Sequence, residues 1–171
     1  MIPECPRYGH AGFTCPGRKP LHRVDMLSPI IALPVPFALI QSLSMSAKTC
    51  PFCVLDPARI LVEDELCVVY KDGFPVSPGH TVVIPKRHFP TLFEATEAEQ
   101  MALLRALNHC KTLLDELHHP DGYNIGINHG TAGGQSVPHL HIHVIPRYLG
   151  DKADPKGGVR WVLPEKAKYW T

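Results

Sequence analysis

One short segment constrains the fold more than any other, because its histidines alternate strictly with aliphatic residues. From His139 to Val144 the sequence reads His-Leu-His-Ile-His-Val. Successive side chains of a β-strand point to opposite faces, so this spacing predicts a strand with the imidazoles on one face and the aliphatics in a core. Three histidines beside the glycine-rich loop at 130–134 indicate either metal ligands or a nucleophilic imidazole.

Short runs rich in β-branched and aromatic residues predict further strands. With the histidine segment, the predicted strands are Ile60–Glu63, Leu66–Tyr70, Thr81–Pro85, Tyr123–Asn128 and Leu140–Pro146. Asp64 and Glu65 separate the first two runs and predict a hairpin there. Such short connections between neighbouring strands favour a mostly antiparallel, five-stranded sheet.

One long helix is predicted between the third and fourth strands. Thr96 and Glu99 have the Thr-x-x-Glu spacing of a capping box, which marks a helix start. Apolar residues then recur at helical spacing, at Met101, Leu104, Leu107, Leu114 and Leu117. We expect this stripe to pack on the sheet or to form a dimer interface, and the fold class is therefore α+β.

The length and the net charge of the chain exclude some classes of function. The chain has 171 residues, which suits one domain with some surplus. Its 17 Lys and Arg residues balance 16 Asp and Glu residues, so the net charge of +1 argues against a nucleic-acid binder. The apolar share of 44% excludes disorder as the state of the whole molecule. We divide the chain into an extension at 1–47, a domain at 48–148 and a C-terminal tail at 149–171.

The extension differs from the rest because prolines interrupt every helical or strand period. An apolar part at 26–45 follows the basic residues Arg18, Lys19 and Arg23, as in a signal peptide. Prolines and serines within that part argue against a membrane-spanning helix, so we expect no stable membrane insertion. We favour a non-folding extension and a cytoplasmic protein; if the segment is instead a signal peptide, the protein is exported.

Several motifs together resemble the signature of the histidine-triad (HIT) family of nucleotide-binding hydrolases and transferases. The first is the His-apolar-His-apolar-His-apolar-apolar pattern that begins at His139. The others are Asp72, the Pro-Gly-His-Thr-Val-Val-Ile-Pro-Lys-Arg-His segment from Pro78 to His88, Asn128, and the Gly-Gly-Gln-Ser run at 133–136. The resemblance spans about residues 50–146.

This resemblance implies a HIT-like fold in which two chains dimerise into one continuous sheet. It also implies a nucleotide hydrolase that cleaves at the α-phosphate of AMP-containing substrates, either dinucleoside polyphosphates or nucleoside phosphoramidates. Purine nucleotides or dinucleotides would be the partners, and nucleic acids would not. A histidine rather than a glutamine at the third triad position, His143, favours hydrolysis over transfer to a sugar phosphate.

The resemblance also assigns roles to individual residues. The implied catalytic set is His80, His139, His141 and His143. His141 would attack the α-phosphorus and form a covalent nucleotidyl-histidine, with its other ring nitrogen donating to a backbone carbonyl. His143 would bind the phosphate, and His80 would support the triad. The substrate would be held by Asp72 at the ribose and, at the phosphate, by Asn128, Gly134, Gln135 and Ser136.

Cys50 and Cys53 form a Cys-x-x-Cys motif that is ambiguous on its own. Half of a zinc site, a redox pair and chance all fit this spacing, and a zinc site needs two further ligands. In one bacterial branch of the HIT family the same pair binds zinc, and the resemblance implies His88 and His139 as the other ligands. That Zn²⁺ site would be structural and closed to the substrate, and it would leave His141 free for chemistry.

The residues leave two other functions open. One is a nucleotide-binding regulatory module that holds the same ligand with negligible turnover. The other is a structural metal domain in which all three triad histidines bind metal. Strand geometry argues against the second, because the outer imidazoles would lie about 13 Å apart along the strand at ~3.3 Å per residue.

Overall fold

The computed structural model describes residues 49–170, so the predicted extension at 1–47 lies outside the described part of the chain. Five strands are found there: β1 (Ile60–Glu63), β2 (Cys67–Lys71), β3 (Thr81–Pro85), β4 (Gly122–Gly126) and β5 (Ile142–Arg147). The helices are α1 (Glu97–His118) and the short α2 (Pro164–Ala167), which a 3₁₀ helix at Gly158–Val162 precedes. Within residues 49–170, no helix combines the length and the apolar character that a membrane crossing requires.

All five strands form one antiparallel sheet in the order β1-β2-β3-β5-β4. This confirms the predicted α+β fold with a five-stranded sheet and one long helix. The turn between β1 and β2 forms where predicted, because the Asp64 carboxylate accepts the backbone N–H groups of Leu66 and Cys67 at 2.8 and 2.6 Å.

The histidine segment joins the sheet later than predicted. Pairing with β3 begins at Ile142, whereas the sequence predicts a strand from Leu140. The N–H of Leu140 donates instead to the carbonyl of Phe89 at 2.7 Å. The alternation nevertheless holds, because Leu140, Ile142 and Val144 are all buried in the core under α1. The three histidines therefore face away from the helix.

Helix α1 packs on the sheet with a different face from the predicted one. Its buried residues are Glu99, Ala102, Leu103, Ala106, Cys110 and Leu114. Of the predicted stripe only Leu114 is fully buried, while Met101, Leu104 and Leu117 are 49%, 55% and 59% exposed. Small side chains at 102, 106 and 110 bring the helix close to the sheet, so they define the contact face although they are less apolar than leucine.

The capping box at the start of α1 forms as predicted and joins an ion pair. The hydroxyl of Thr96 accepts the N–H of Glu99, and the Glu99 carboxylate accepts the N–H of Thr96 at 2.8 Å. The same carboxylate receives Nε–H and Nη2–H of Arg87, each at 2.7 Å. Hydrogen bonding to Arg87 lowers the pKa of the buried Glu99 to about 2.

We expect Glu99→Gln to lower the free energy of unfolding by about 1–2 kcal/mol at pH 7, because a charged acceptor of several donors is lost. The folded state favours the ionised form of Glu99. The wild type therefore has the larger free energy of unfolding above the ordinary pKa of 4.5, and this difference disappears as the pH falls towards 2. Urea unfolding at neutral and at acidic pH measures the difference, with the exposed Glu97→Gln as control. Equal free energies of both variants at neutral pH would contradict this expectation.

The face of the sheet opposite α1 carries the candidate site. A second apolar cluster on this face includes Tyr70 and Val82, and Phe52 from the N-terminal segment packs against it. Tyr70 pairs with Val82 across β2 and β3, and Val82 pairs with His143 across β3 and β5. One row of residues therefore crosses three strands and ends at the histidines.

Candidate active site

His141 lies just before β5 and is buried against Phe52, whose ring centroid is 5.0 Å from that of the imidazole. Its Nδ1 lies 2.8 Å from the carbonyl oxygen of His139. A carbonyl oxygen only accepts, so Nδ1 of the neutral ring carries the proton and Nε2 keeps a lone pair. The ring thus has the hydrogen bond that the resemblance implied, and Nε2 can act as a nucleophile.

A chain of hydrogen bonds fixes the proton positions on His80 and His143. The backbone N–H of Val76 donates to Nδ1 of His80 at 3.3 Å, so the neutral His80 ring carries its proton on Nε2. That proton points to Nδ1 of His143, 3.1 Å away, and leaves the His143 proton on Nε2. Burial lowers the pKa of both rings and favours their neutral forms. His143 therefore presents an N–H donor next to His141, at a centroid distance of 5.0 Å.

Asp72 follows β2 and brings a carboxylate next to these rings. Oδ1 accepts the N–H of Phe74 at 2.7 Å, while Oδ2 lies 3.7 Å from Nε2 of His80 and 3.9 Å from Nδ1 of His143. Both of the longer distances exceed a normal hydrogen bond, so Oδ2 retains lone pairs for a ligand hydroxyl. The three side chains could also approach one cation, but the hydrogen bond between the two imidazoles already uses one nitrogen of each.

A cavity of about 360 Å³ opens between the histidines and the N-terminal segment, a volume typical of small-molecule sites. The residues predicted from the sequence that line it are Asp72, Asn128, Ser136, His141 and His143. Its other walls include Phe52, Arg59, Tyr70, Gly73 and Phe74. Apart from Phe52, which lies within the Cys-x-x-Cys motif, no motif marks these walls, because the residues meet only when the chain folds. A neighbouring cavity of about 340 Å³ reaches Asp72 and His80 from the helix side, and no triad histidine lines it.

Gly134 and Gln135, which the sequence predicts to contact the phosphate, directly precede Ser136, which lines the cavity of the histidines, and they stay predicted substrate contacts. The Gln135 amide accepts the N–H of Gly130 at 2.9 Å and donates to the carbonyl of Pro90 at 2.8 Å. It thereby closes the glycine loop and ties it to the segment before α1. Gly130 and Gly134 have φ values of 69° and 81°, which explains the glycines at these positions.

The four residues predicted as zinc ligands come together beside the triad. Sγ of Cys53 lies 3.2 Å from Nδ1 of His88, and Sγ of Cys50 lies 3.4 Å from Nδ1 of His139. All four ligand atoms lie within 4.8 Å of one another. Two thiols and two imidazoles are a common donor set of structural zinc sites, so these residues fit that metal.

The ring of His139 is oriented for metal binding through Nδ1. Its Nε2 donates to the carbonyl oxygen of Pro85 at 2.8 Å and therefore carries the proton. Burial lowers the pKa of His139 and favours the neutral ring, which leaves the Nδ1 lone pair facing the sulfurs. Because the carbonyl of His139 also accepts from His141, the cysteine–histidine cluster and the cavity are joined at one residue.

Comparison with known proteins agrees with this geometry. The family model of the HIT domain matches residues 55–150, which is more than half of the chain. The chain belongs to the HIT family. In this HIT protein the three triad histidines lie inside the matched segment, and Cys50 and Cys53 lie just before it.

The HIT protein is similar to curated relatives with and without a named activity. It is 38% identical over 106 residues to an uncharacterized HIT-like protein of Methanocaldococcus jannaschii, covering 60% of this chain and 81% of that one. An adenylylsulfatase of Arabidopsis thaliana is 35% identical over 102 residues, covering 57% and 52%. An asymmetrical bis(5'-nucleosyl)-tetraphosphatase of Schizosaccharomyces pombe is 32% identical over 94 residues, covering 55% and 52%. The chain thus spans about half the length of the two relatives with named activities.

A solved structure also resembles this HIT protein. It is that of a zinc-bound histidine triad family protein of Mycobacterium smegmatis, with a TM-score of 0.58 and 35% sequence identity. The match covers 64% of this chain and 82% of that one, so the likeness extends over most of the described fold.

Proposed function

We propose that this HIT protein is a nucleotide hydrolase that cleaves at the α-phosphate of AMP-containing substrates, either dinucleoside polyphosphates or nucleoside phosphoramidates. The observation that carries the proposal is the buried ring of His141, whose Nε2 keeps a lone pair at a cavity that also contains His143 and Asp72. The named activities of two relatives, an adenylylsulfatase and a bis(5'-nucleosyl)-tetraphosphatase, support the same class of reaction.

In the first step, Nε2 of His141 attacks the α-phosphorus. A nitrogen–phosphorus bond forms while the bond to the leaving group breaks, and the leaving group departs with the electron pair. The bond from Nδ1–H to the carbonyl of His139 stabilises the positive charge that the ring gains. The Nε2–H of His143 donates to the developing charge on the phosphate. Water then attacks the same phosphorus and loses a proton to the solvent. The nitrogen–phosphorus bond breaks with its electron pair returning to Nε2, so AMP leaves and His141 is restored.

Different groups of the cavity bind the ribose and the phosphate. Oδ2 of Asp72 accepts from the ribose hydroxyls, because within residues 49–170 no donor lies at hydrogen-bond distance from it. Ser136 and Asn128, which line the cavity, donate to the non-bridging phosphate oxygens. Gln135 holds the shape of the glycine loop through Gly130 and Pro90 and keeps a second amide N–H for the phosphate, while Gly134 lets the phosphate approach the loop closely.

We further propose that Cys50, Cys53, His88 and His139 hold a structural Zn²⁺ ion. The donor set and its spacing support this ion, and so does the zinc-bound relative from Mycobacterium smegmatis. When bound, zinc supplies a crosslink between the N-terminal segment and the triad. The chain's own contribution is the orientation of His139, through Pro85 on one side and the two thiols on the other.

The protein is also proposed to act as a homodimer. β4 is an edge strand of the sheet, and Ile125 on it is 49% exposed. Met101 and Leu104 on α1 are similarly exposed, so both elements offer apolar surface that a second copy would bury. Analytical ultracentrifugation that finds only the monomer would contradict the dimer.

The partner is proposed to be a purine nucleotide or dinucleotide in the cytoplasm. The balanced charge supports a small ligand rather than a nucleic acid. Cys67 and Cys110 are buried free cysteines, which suits a reducing compartment. Recovery of the protein from a periplasmic or secreted fraction would favour the export alternative instead.

A binding module with negligible turnover is the second candidate. The observation in its favour is that the Gln135 amide already bonds to Gly130 and Pro90, which leaves one of its two N–H groups for a ligand. AMP release by the full chain from diadenosine tetraphosphate and from an adenosine phosphoramidate separates the two candidates. Turnover of either substrate supports the hydrolase; nucleotide binding without any turnover would support the binding module and contradict the hydrolase.

A further inference from the structure

Arg59 lines the same cavity and is held in place by two neighbours. Its Nε and Nη2 donate to the carbonyl of Lys71 at 3.1 and 2.6 Å. Its guanidinium carbon lies 4.3 Å from the centroid of the Tyr70 ring, as in a cation–π contact. Among residues 49–170, no carboxylate forms an ion pair with Arg59, whereas Arg87 and Arg147 each have one.

Gly73 provides the space that this guanidinium fills. A Cβ atom added at Gly73 would lie 2.9 Å from Nη2 and 3.2 Å from Nη1 of Arg59, so a side chain there would displace the group. Two of the five N–H donors of Arg59 serve Lys71, and three remain for a ligand. A planar cation held in this way is pre-organised to recognise a planar edge with paired acceptors.

Arg59 lies where the far end of a bound nucleotide would be. Tyr70 and His143 are two strand spacings apart, about 10 Å, because each pairs with Val82. Asp72 lies between Tyr70 and His143, since it directly follows β2, the strand of Tyr70, and its Oδ2 is 3.9 Å from Nδ1 of His143. With the phosphate at the histidines and the ribose at Asp72, the nucleobase reaches Arg59.

On the basis of the proposed function, we propose that Arg59 hydrogen-bonds to the nucleobase. The cavity therefore binds 6-oxopurine nucleotides more tightly than adenine nucleotides. Guanine and hypoxanthine present two acceptors, O6 and N7, to the paired donors of an arginine. Adenine presents N7 but carries an amino donor at the neighbouring position, which opposes a guanidinium N–H. Adenine substrates are still accepted, with weaker binding.

Isothermal titration of the full chain with GMP and with AMP tests this preference. We expect GMP to bind about tenfold more tightly than AMP. Arg59→Met removes the donors, and Gly73→Ala keeps the arginine but displaces its guanidinium; both should bring the affinity ratio close to one. Arg105→Met makes the same substitution at an exposed arginine of α1, on the opposite face of the sheet, so it should retain the wild-type ratio.

Equal affinities of the wild type for GMP and AMP would overturn the inference. So would an Arg59→Met variant that keeps the wild-type affinity ratio, whether or not both affinities fall by the same factor. Release of GMP and AMP from matched phosphoramidates by the same samples separates this inference from the hydrolase function. Unequal binding without turnover contradicts the hydrolase alone, whereas turnover with equal kcat/KM contradicts the base preference alone. Binding of neither nucleotide contradicts both.

Discussion

Replacement of His141 by alanine is expected to lower kcat for AMP release by about 10³-fold or more. The variant loses the Nε2 lone pair that attacks the phosphorus. Its neighbour His143 cannot substitute, because the hydrogen-bond chain from His80 leaves a donor rather than a lone pair at the cavity. Steady-state release of AMP from diadenosine tetraphosphate and from an adenosine phosphoramidate measures the effect.

Two controls connect this loss to the chemical step. His109→Ala changes an exposed histidine of α1 and should retain the wild-type kcat. The affinity of His141→Ala for AMP should stay close to the wild-type value, because Asp72 and the remaining walls of the cavity are unchanged. Wild-type turnover in His141→Ala would rule out the nucleophilic role of this residue.

The second large effect is expected at the cysteine–histidine cluster. Cys50→Ser should release the zinc and lower the free energy of unfolding by about 3 kcal/mol or more. It should also lower kcat, because His139 faces the metal site with Nδ1 and orients His141 with its carbonyl. A chelator should destabilise the wild type in the same way and leave the variant unchanged. Elemental analysis and urea unfolding measure these effects.

Cys67→Ala is the matched control, since Cys67 is also a free, buried cysteine but belongs to the core under α1. This variant should keep one zinc per chain and remain sensitive to the chelator. Full zinc content in Cys50→Ser, or equal unfolding free energies of the wild type with and without chelator, would contradict a structural zinc.

Local patterns account for the parts of the fold that could be predicted from the sequence. β3 has the predicted bounds, Thr81–Pro85, because a buried apolar run that a proline closes leaves little choice of its end. The capping box at Thr96 places the start of α1 because both of its partners lie within one turn. The alternation at 139–144 correctly predicts that the aliphatic residues face the core. This holds also for Leu140, which precedes the paired strand β5, because its side chain is buried with those of Ile142 and Val144.

Contacts between distant segments account for what the sequence could not predict. The Gly-Gly-Gln-Ser run does not show that the Gln135 amide donates to the carbonyl of Pro90, 45 residues away. Arg59 belongs to no recognisable motif. The position of its guanidinium depends on the space beside Gly73 and on the carbonyl of Lys71 in β2. The contact face of α1 is likewise decided by how closely the sheet approaches Ala106, which apolar periodicity does not show.

The proposed mechanism requires a covalent bond between AMP and His141. Rapid mixing of the full chain with an adenosine phosphoramidate, a chemical quench within one turnover and peptide mass spectrometry would detect it. We expect one AMP on the peptide that contains His141 and none in His141→Ala. AMP attached to a different residue, or turnover by the wild type with no attached AMP at any time, would contradict the mechanism.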